Sequence, residues 1–142
     1  MRIAKKRLMG LTYVTVALKA TGGKKKYEGT FLVDTGAWDT MAPASELKKI
    51  GVKPVGKKVY EMADGSLREF EFGLAEISFL GEITAERVLF GPEGSEPLLG
   101  VLALESVGIV VDPKNERLTR LPSQKLKAIT AQSPSSIQVT LF

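Results

Sequence analysis

The amino-acid sequence predicts a mainly β, barrel-like domain carrying two short helices. Three observations lead there. Short apolar runs alternate with polar residues, Gly, Asp and Pro fall between these runs as turn formers, and only two stretches carry helical start and stop signals. With 142 residues the chain is long enough for one domain with a sizeable core and short for two.

Residues 11–19 form the first expected strand, with Val14, Val16 and Leu18 on one face and Tyr13, Thr15 and Ala17 on the other. A turn through Ala20–Lys26, supplied by Gly22 and Gly23, returns the chain as a second strand over 27–33. There Tyr27, Gly29, Phe31 and Val33 share one face, so Leu32 and Asp34 project to the other. The strand breaks at Asp34-Thr35-Gly36-Ala37. Pro43–Ile50 reads as a helix, started by Pro43 and Ser45 with Glu46 in its first turn, and stopped at Gly51.

Val59–Met62 and Leu67–Phe72 flank Ala63-Asp64-Gly65-Ser66, a hairpin signal because both central positions favour positive φ. Leu74–Leu80 and Ile83–Phe90 pair about Gly81, and Gly91–Pro97 is a loop. Leu98-Leu99-Gly100 then leads into a short helix, Val101–Val107, ended by Gly108. Ile109–Asp112 and Arg117–Leu121 suggest a last hairpin about Pro113–Glu116. The expected organisation is a basic segment 1–8, a domain over 9–121, and a Ser/Gln/Thr-rich tail 122–142. Within that tail Ile137–Phe142 alternates as a strand would: an interface strand, a docked strand or a mobile end are all open.

Composition narrows the chemistry. The chain has no Cys, which removes disulfides, thiolate nucleophiles and thiolate metal sites. It has no His, which removes Ser-His and Cys-His catalysis and imidazole ligands. Acid–base chemistry near neutral pH then falls to carboxylates or shifted lysines.

The formal charge is +4, unevenly placed. Residues 1–26 hold eight Lys/Arg and no acid, leaving 12 basic against 16 acidic residues for the rest. Such a patch could touch nucleic acid or anionic lipid, but no aromatic stacking motif accompanies it, and a solvated basic end is the simpler reading. No nucleic-acid partner is expected. No apolar run approaches the length of about 18 residues that spans a bilayer, so no membrane partner is expected either. Met1–Arg7 followed by Leu8–Leu18 imitates a signal peptide. Gly10, Thr12, Tyr13 and Thr15 interrupt its apolar stretch, so the expected location is cytoplasmic.

Asp34 is the residue that asks for an explanation, because an unpaired acid at the end of an apolar strand is expensive to bury. Thr35 beside it can donate a hydroxyl hydrogen bond, and Gly36 lets another backbone or a ligand approach closely. Three residues alone would also suit an acid that merely caps a turn. Three features in order carry more: apolar-apolar-Asp34-Thr35-Gly36-Ala37, the Asp64-Gly65 hairpin about 30 residues later, and Leu98-Leu99-Gly100 before a short helix. With these the chain resembles the retropepsin-like aspartic proteases over about residues 9–121.

That resemblance implies a closed barrel-like acid protease protomer that supplies half of an active site. Pepsin-like enzymes carry two Asp-Thr/Ser-Gly motifs in one chain, whereas this chain has one. It therefore implies a homodimer that brings Asp34 against its own copy on a two-fold axis. Two charges about 3 Å apart at an effective dielectric of about 20 repel by roughly 5–6 kcal/mol. The pair then shares one proton over a wide acidic range, the established division of roles in such dyads. The ionised partner activates water and the protonated one donates to the scissile carbonyl oxygen of a peptide or protein substrate, so the resemblance implies no metal and no organic cofactor.

By the same resemblance Asp34, Thr35 and Gly36 form the catalytic set, the Thr35 hydroxyls cross-linking the two loops. The expected substrate-binding set is Ala37, Trp38 and Asp39 beside the acid, with Met62, Ala63, Asp64 and Gly65 on a flap over residues 60–68. Two departures stand out. Trp38 occupies a position where retroviral relatives usually carry an acid, and Val101 one where they usually carry Arg, so both members of a supporting ion pair are replaced by apolar residues. Trp38 could line the cleft, buttress the dimer or pack in the core. Asp39 aligns near a substrate-binding acid, although such residues are more often solvated or cap a turn.

The leading expectation is thus a homodimeric aspartic endopeptidase. The alternative is a non-catalytic dimeric peptide-binding module on the same fold, and association of residues 1–26 with nucleic acid is a distant third.

Overall fold

Alternation and turn chemistry decide the first hairpin. The computed structural model describes residues 12–112, 114–115 and 117–122. The basic segment 1–8 and Ile137–Phe142 lie outside them, as do Pro113 and Glu116 in the last turn. Strand β1 (Thr12–Ala20) buries Val14, Val16 and Leu18, and β2 (Lys26–Val33) buries Phe31 and Val33. They pair antiparallel from Thr12 opposite Val33 to Lys19 opposite Lys26, with Gly22 at φ +74° in the turn.

The architecture is mainly β with two short helices. After β2 come β3 (Thr40–Pro43), α1 (Ala44–Lys49), β4 (Gly56–Glu61), β5 (Leu67–Phe79), β6 (Glu82–Gly91) and β7 (Leu98–Leu99). The chain then forms α2 (Val101–Ser106), β8 (Ile109–Asp112) and β9 (Arg117–Arg120). Seven strands form one sheet in the order β1-β2-β7-β3-β6-β5-β4, and β1 also pairs with β5, Ala17 opposite Ser78 through Ala20 opposite Ala75. Strands β8 and β9 form a separate two-stranded sheet. No helix among the described residues is long and apolar enough to cross a membrane.

The core gathers Phe31, Leu18, Leu47, Ile77, Leu99, Ile109, Val16 and Val88, all essentially inaccessible to solvent. Each contributes about 1.5–3 kcal/mol relative to leaving it exposed. Helix α1 supplies Leu47 to that core and carries Glu46 in its first turn and Lys48 and Lys49 in its last, as its macrodipole favours. Gly51 ends it at φ +90°.

Three local expectations are revised and one strand is added. Ser45 does not cap α1: its N–H and hydroxyl both donate to the carboxylate of Glu93, at 2.8 and 2.6 Å, tying the helix to the loop after β6. The runs Leu67–Phe72 and Leu74–Leu80 join as one strand, β5, which passes through Gly73 and ends at Phe79, leaving Leu80 in the turn. That glycine reads locally as a break, but its missing side chain is what admits the Lys53 carbonyl and the Val52 side chain, each 2.6 Å from where a Cβ would stand. In the Asp64-Gly65 turn only Gly65 has positive φ, +86°, while Leu80 adopts φ +50° beside Gly81. Strand β3 has no local signal and exists through its partners: it runs parallel to β6 and pairs with β7 at Met41 opposite Leu98.

Candidate active site

Strand β2 delivers Asp34 to the loop beyond its last core residue. The Leu32 N–H donates to the Pro97 carbonyl at 3.0 Å and the Asp34 N–H to the Leu99 carbonyl at 3.1 Å, so β7 holds the end of β2 from the side. Past that point the chain folds back on itself. The Ala37 N–H donates to the Asp34 carbonyl at 3.0 Å, and the Gly36 N–H donates to Oδ1 of the Asp34 carboxylate at 2.9 Å. Asp34 is half-buried, and Thr35 and Gly36 are exposed.

The loop is then locked to the start of α2. The first N–H groups of a helix lack intrahelical acceptors. Here the Val101 N–H donates to the Ala37 carbonyl at 2.9 Å and the Leu102 N–H to the Trp38 carbonyl at 3.1 Å. The Gly100 N–H donates to the buried Thr40 hydroxyl at 3.0 Å. A Cβ on Gly100 would stand 2.5 Å from both the Trp38 carbonyl oxygen and the Asp39 carbonyl carbon, so only glycine allows this crossing. Two of the three separated motifs, the Asp34 loop and Leu98-Leu99-Gly100, are therefore one hydrogen-bonded unit.

Asp39 is neither solvated nor a turn cap. Its side chain has no exposed surface, and three side chains from two other strands surround it. The Tyr60 hydroxyl of β4 donates to Oδ2, Lys58 Nζ of β4 lies 3.7 Å from Oδ2, and Arg87 Nε of β6 lies 3.5 Å from Oδ1. Burial, and after it the hydrogen bond to Asp39, pushes the Tyr60 phenol well above its ordinary value. A buried carboxylate is tolerated when paired in this way and costly when one partner is removed.

The remaining expected residues are spread more widely. Met62 is half-buried, and Ala63, Asp64 and Gly65 are exposed at the tip of the β4–β5 hairpin. The tip is closed by Met62 N–H to the Ser66 carbonyl at 2.7 Å and Gly65 N–H to the Met62 carbonyl at 2.9 Å. Asp64 accepts from the Ser66 hydroxyl and N–H, which hold its carboxyl below the usual range. Among the described residues, the hydrogen bonds and ion pairs joining this hairpin to the Asp34 loop run through Lys58 and Tyr60, not through the tip. Trp38 is 48% exposed, so it does not pack in the protomer core.

Thr40, Lys58, Tyr60 and Arg87 were not singled out by sequence reasoning. The only available signal was weak: on β4, Lys58 and Tyr60 share one face by alternation, opposite Lys57, Val59 and Glu61. Two shallow surface concavities lie elsewhere, of about 470 Å³ beside Leu80, Gly81 and Ile83 and about 230 Å³ beside Leu118 and Arg120. Among the described residues no three acidic side chains converge so as to hold a metal ion. Neither protein-family models nor curated proteins give a match to this chain.

Proposed function

We propose that the chain is a homodimeric aspartic endopeptidase of the retropepsin type, hydrolysing peptide bonds with water activated between the Asp34 carboxylates of two copies. The observation that carries this reading is the interlock of Asp34-Thr35-Gly36-Ala37 with Gly100-Val101-Leu102, which fixes a half-buried carboxylate at a strand end beside exposed backbone. The pairing of β1 with both β2 and β5 supports a closed barrel-like protomer.

In this reading Asp34 of one protomer takes a proton from water while the same residue of its partner donates to the substrate carbonyl oxygen, giving a tetrahedral diol. Gly36 presents backbone to an extended peptide, and the Thr35 hydroxyls link the two loops. The β4–β5 hairpin covers the peptide and excludes water. No metal or organic cofactor takes part in that scheme.

A second reading has its own support. Oδ1 of Asp34 accepts from Gly36 within the same loop, the contact of an ordinary Asx turn, so the loop would keep its shape in a dimeric peptide-binding module without catalysis.

The deciding experiment is a peptide-library cleavage assay across pH 3–7 with the wild-type chain, Asp34→Asn and Asp34→Ala, each followed by sedimentation. The endopeptidase reading expects a dimer, cleavage by wild type alone, and specific activity that falls on dilution below the dimer constant. Undiminished cleavage by Asp34→Ala, or a wild type that stays monomeric at assay concentration, defeats it. A wild-type dimer that cleaves nothing and binds peptides as tightly with Asp34→Asn establishes the binding module.

A further inference from the structure

We propose that Asp39 is a positioning residue that latches the base of the β4–β5 hairpin onto the loop carrying Asp34. Its consequence for turnover rests on the endopeptidase reading, but the latch itself does not.

Strand β4 is the outermost strand of the sheet and pairs only with β5 among the described residues, Gly56 opposite Phe72 through Glu61 opposite Leu67. An edge strand held on one side opens locally at lower free energy than a strand inside the sheet. Asp39 supplies the missing second attachment. It lies five residues beyond Asp34, with Gly100 pressed against its backbone, and Thr40 next to it accepts the Gly100 N–H. From that fixed position its carboxylate reaches two strands at once. Arg87 belongs to the body of the domain, since Val88, Leu89 and Phe90 after it are buried. Tyr60 and Lys58 belong to the hairpin and grip Oδ2.

The rings extend the same grip along β5. Tyr60 meets Phe70 edge-on with centroids 5.9 Å apart, Lys58 lies over the Tyr60 ring, and Arg87 lies over Phe72. Releasing the Tyr60 hydroxyl from Asp39 therefore frees the hairpin base while β5–β6 pairing persists. Oδ1 of Asp39 and Nε of Arg87 are both buried, 3.5 Å apart, and neither makes a hydrogen bond among the described residues. The body side of the latch thus holds by charge, and the hairpin side by a hydrogen bond whose loss is selective.

Removing Asp39 itself would strand two cations and risks unfolding the chain, so the test uses its partners. Hydrogen exchange is followed in Tyr60→Phe, Lys58→Met and Lys58→Arg, and Trp38, the single tryptophan and the neighbour of Asp39, is probed by acrylamide quenching. Tyr60→Phe and Lys58→Met should accelerate exchange of amides 56–61 by about tenfold and raise Trp38 quenching, leaving 12–20 and 26–33 unchanged. Lys58→Arg should behave as wild type. For cleaved peptides, Tyr60→Phe should raise KM about tenfold with kcat within about threefold, since the hairpin covers substrate and the reacting acid is untouched. Unchanged hairpin exchange, or acceleration spread evenly over all strands, overturns the latch. A kcat loss at constant KM does the same. Selective loosening in a chain that cleaves nothing upholds the latch and defeats only the endopeptidase reading.

Discussion

The Gly100 N–H donates to the Thr40 hydroxyl across 3.0 Å, joining two buried positions sixty residues apart. Together with the Val101 and Leu102 N–H groups on the Ala37 and Trp38 carbonyls, this bond makes the Asp34 loop and the first turn of α2 one block. The helix start is capped by a distant segment instead of its own side chains: no side-chain hydrogen bond caps α2 at Gly100. The position of Asp34 is thus set from both sides, by β7 before it and by α2 after it.

Thr40→Val removes the acceptor and leaves the Gly100 N–H buried without a partner. It should cost about 1–3 kcal/mol in urea unfolding, with Thr40→Ser restoring most of it. Equal stability of the Val variant would mean that another acceptor serves Gly100.

Gly100→Ala places a Cβ 2.5 Å from backbone atoms of both Trp38 and Asp39, which have no rotamer to yield. Overpacking against backbone should cost about 2–3 kcal/mol and shift Trp38 emission. By contrast, nothing lies within 4 Å of a Cβ on Gly22, so Gly22→Ala should cost only the strain of its φ of +74°, about 1–2 kcal/mol.

Leu80 pays for the tight β5–β6 turn with φ +50°, and it is 45% exposed. Leu80→Asn suits that conformation and loses little packing. It should raise stability by about 0.5–1 kcal/mol, read as a higher thermal midpoint.

Alkaline pH should destabilise the fold through its phenols. Burial is the main cause raising both Tyr60 and Tyr27 above the ordinary 10.0, helped by Asp39 for the first and Glu46 for the second. A group raised in the folded state contributes fully below its unfolded value and loses that contribution as pH climbs toward the folded one. The thermal midpoint should therefore fall above pH 10, less steeply in Tyr60→Phe. Ultraviolet titration should show these phenols ionising later than in the unfolded chain.

Much of the fold is local enough to read in one dimension. The buried faces of β1 and β2 follow from alternation at Val14, Val16 and Leu18 and at Phe31 and Val33. The span of α1 follows from Pro43, Glu46 and Gly51, and the end of α2 from Gly108 at φ +74°. What resisted were elements whose reasons lie elsewhere in the chain. Strand β3 is four residues made into a strand by β6 and β7. Gly73 continues β5 because Lys53 and Val52 need its space, and Ser45, within the first turn of α1, turns its N–H and hydroxyl to Glu93.

The candidate site divides along the same line. The order of Asp34-Thr35-Gly36-Ala37, Asp64-Gly65 and Leu98-Leu99-Gly100, and the absence of His and Cys, are properties of the string itself: the absence excludes thiolate and imidazole chemistry, and the order is what the proposed function starts from. Only the tertiary structure decided that Asp39 is a buried carboxylate between β4 and β6, because burial and charge pairing depend on which strands meet. A lone acid in a sequence reads as solvated. It is the pairing with Lys58, Tyr60 and Arg87, which stand 19, 21 and 48 positions further along the chain, that makes its burial tolerable.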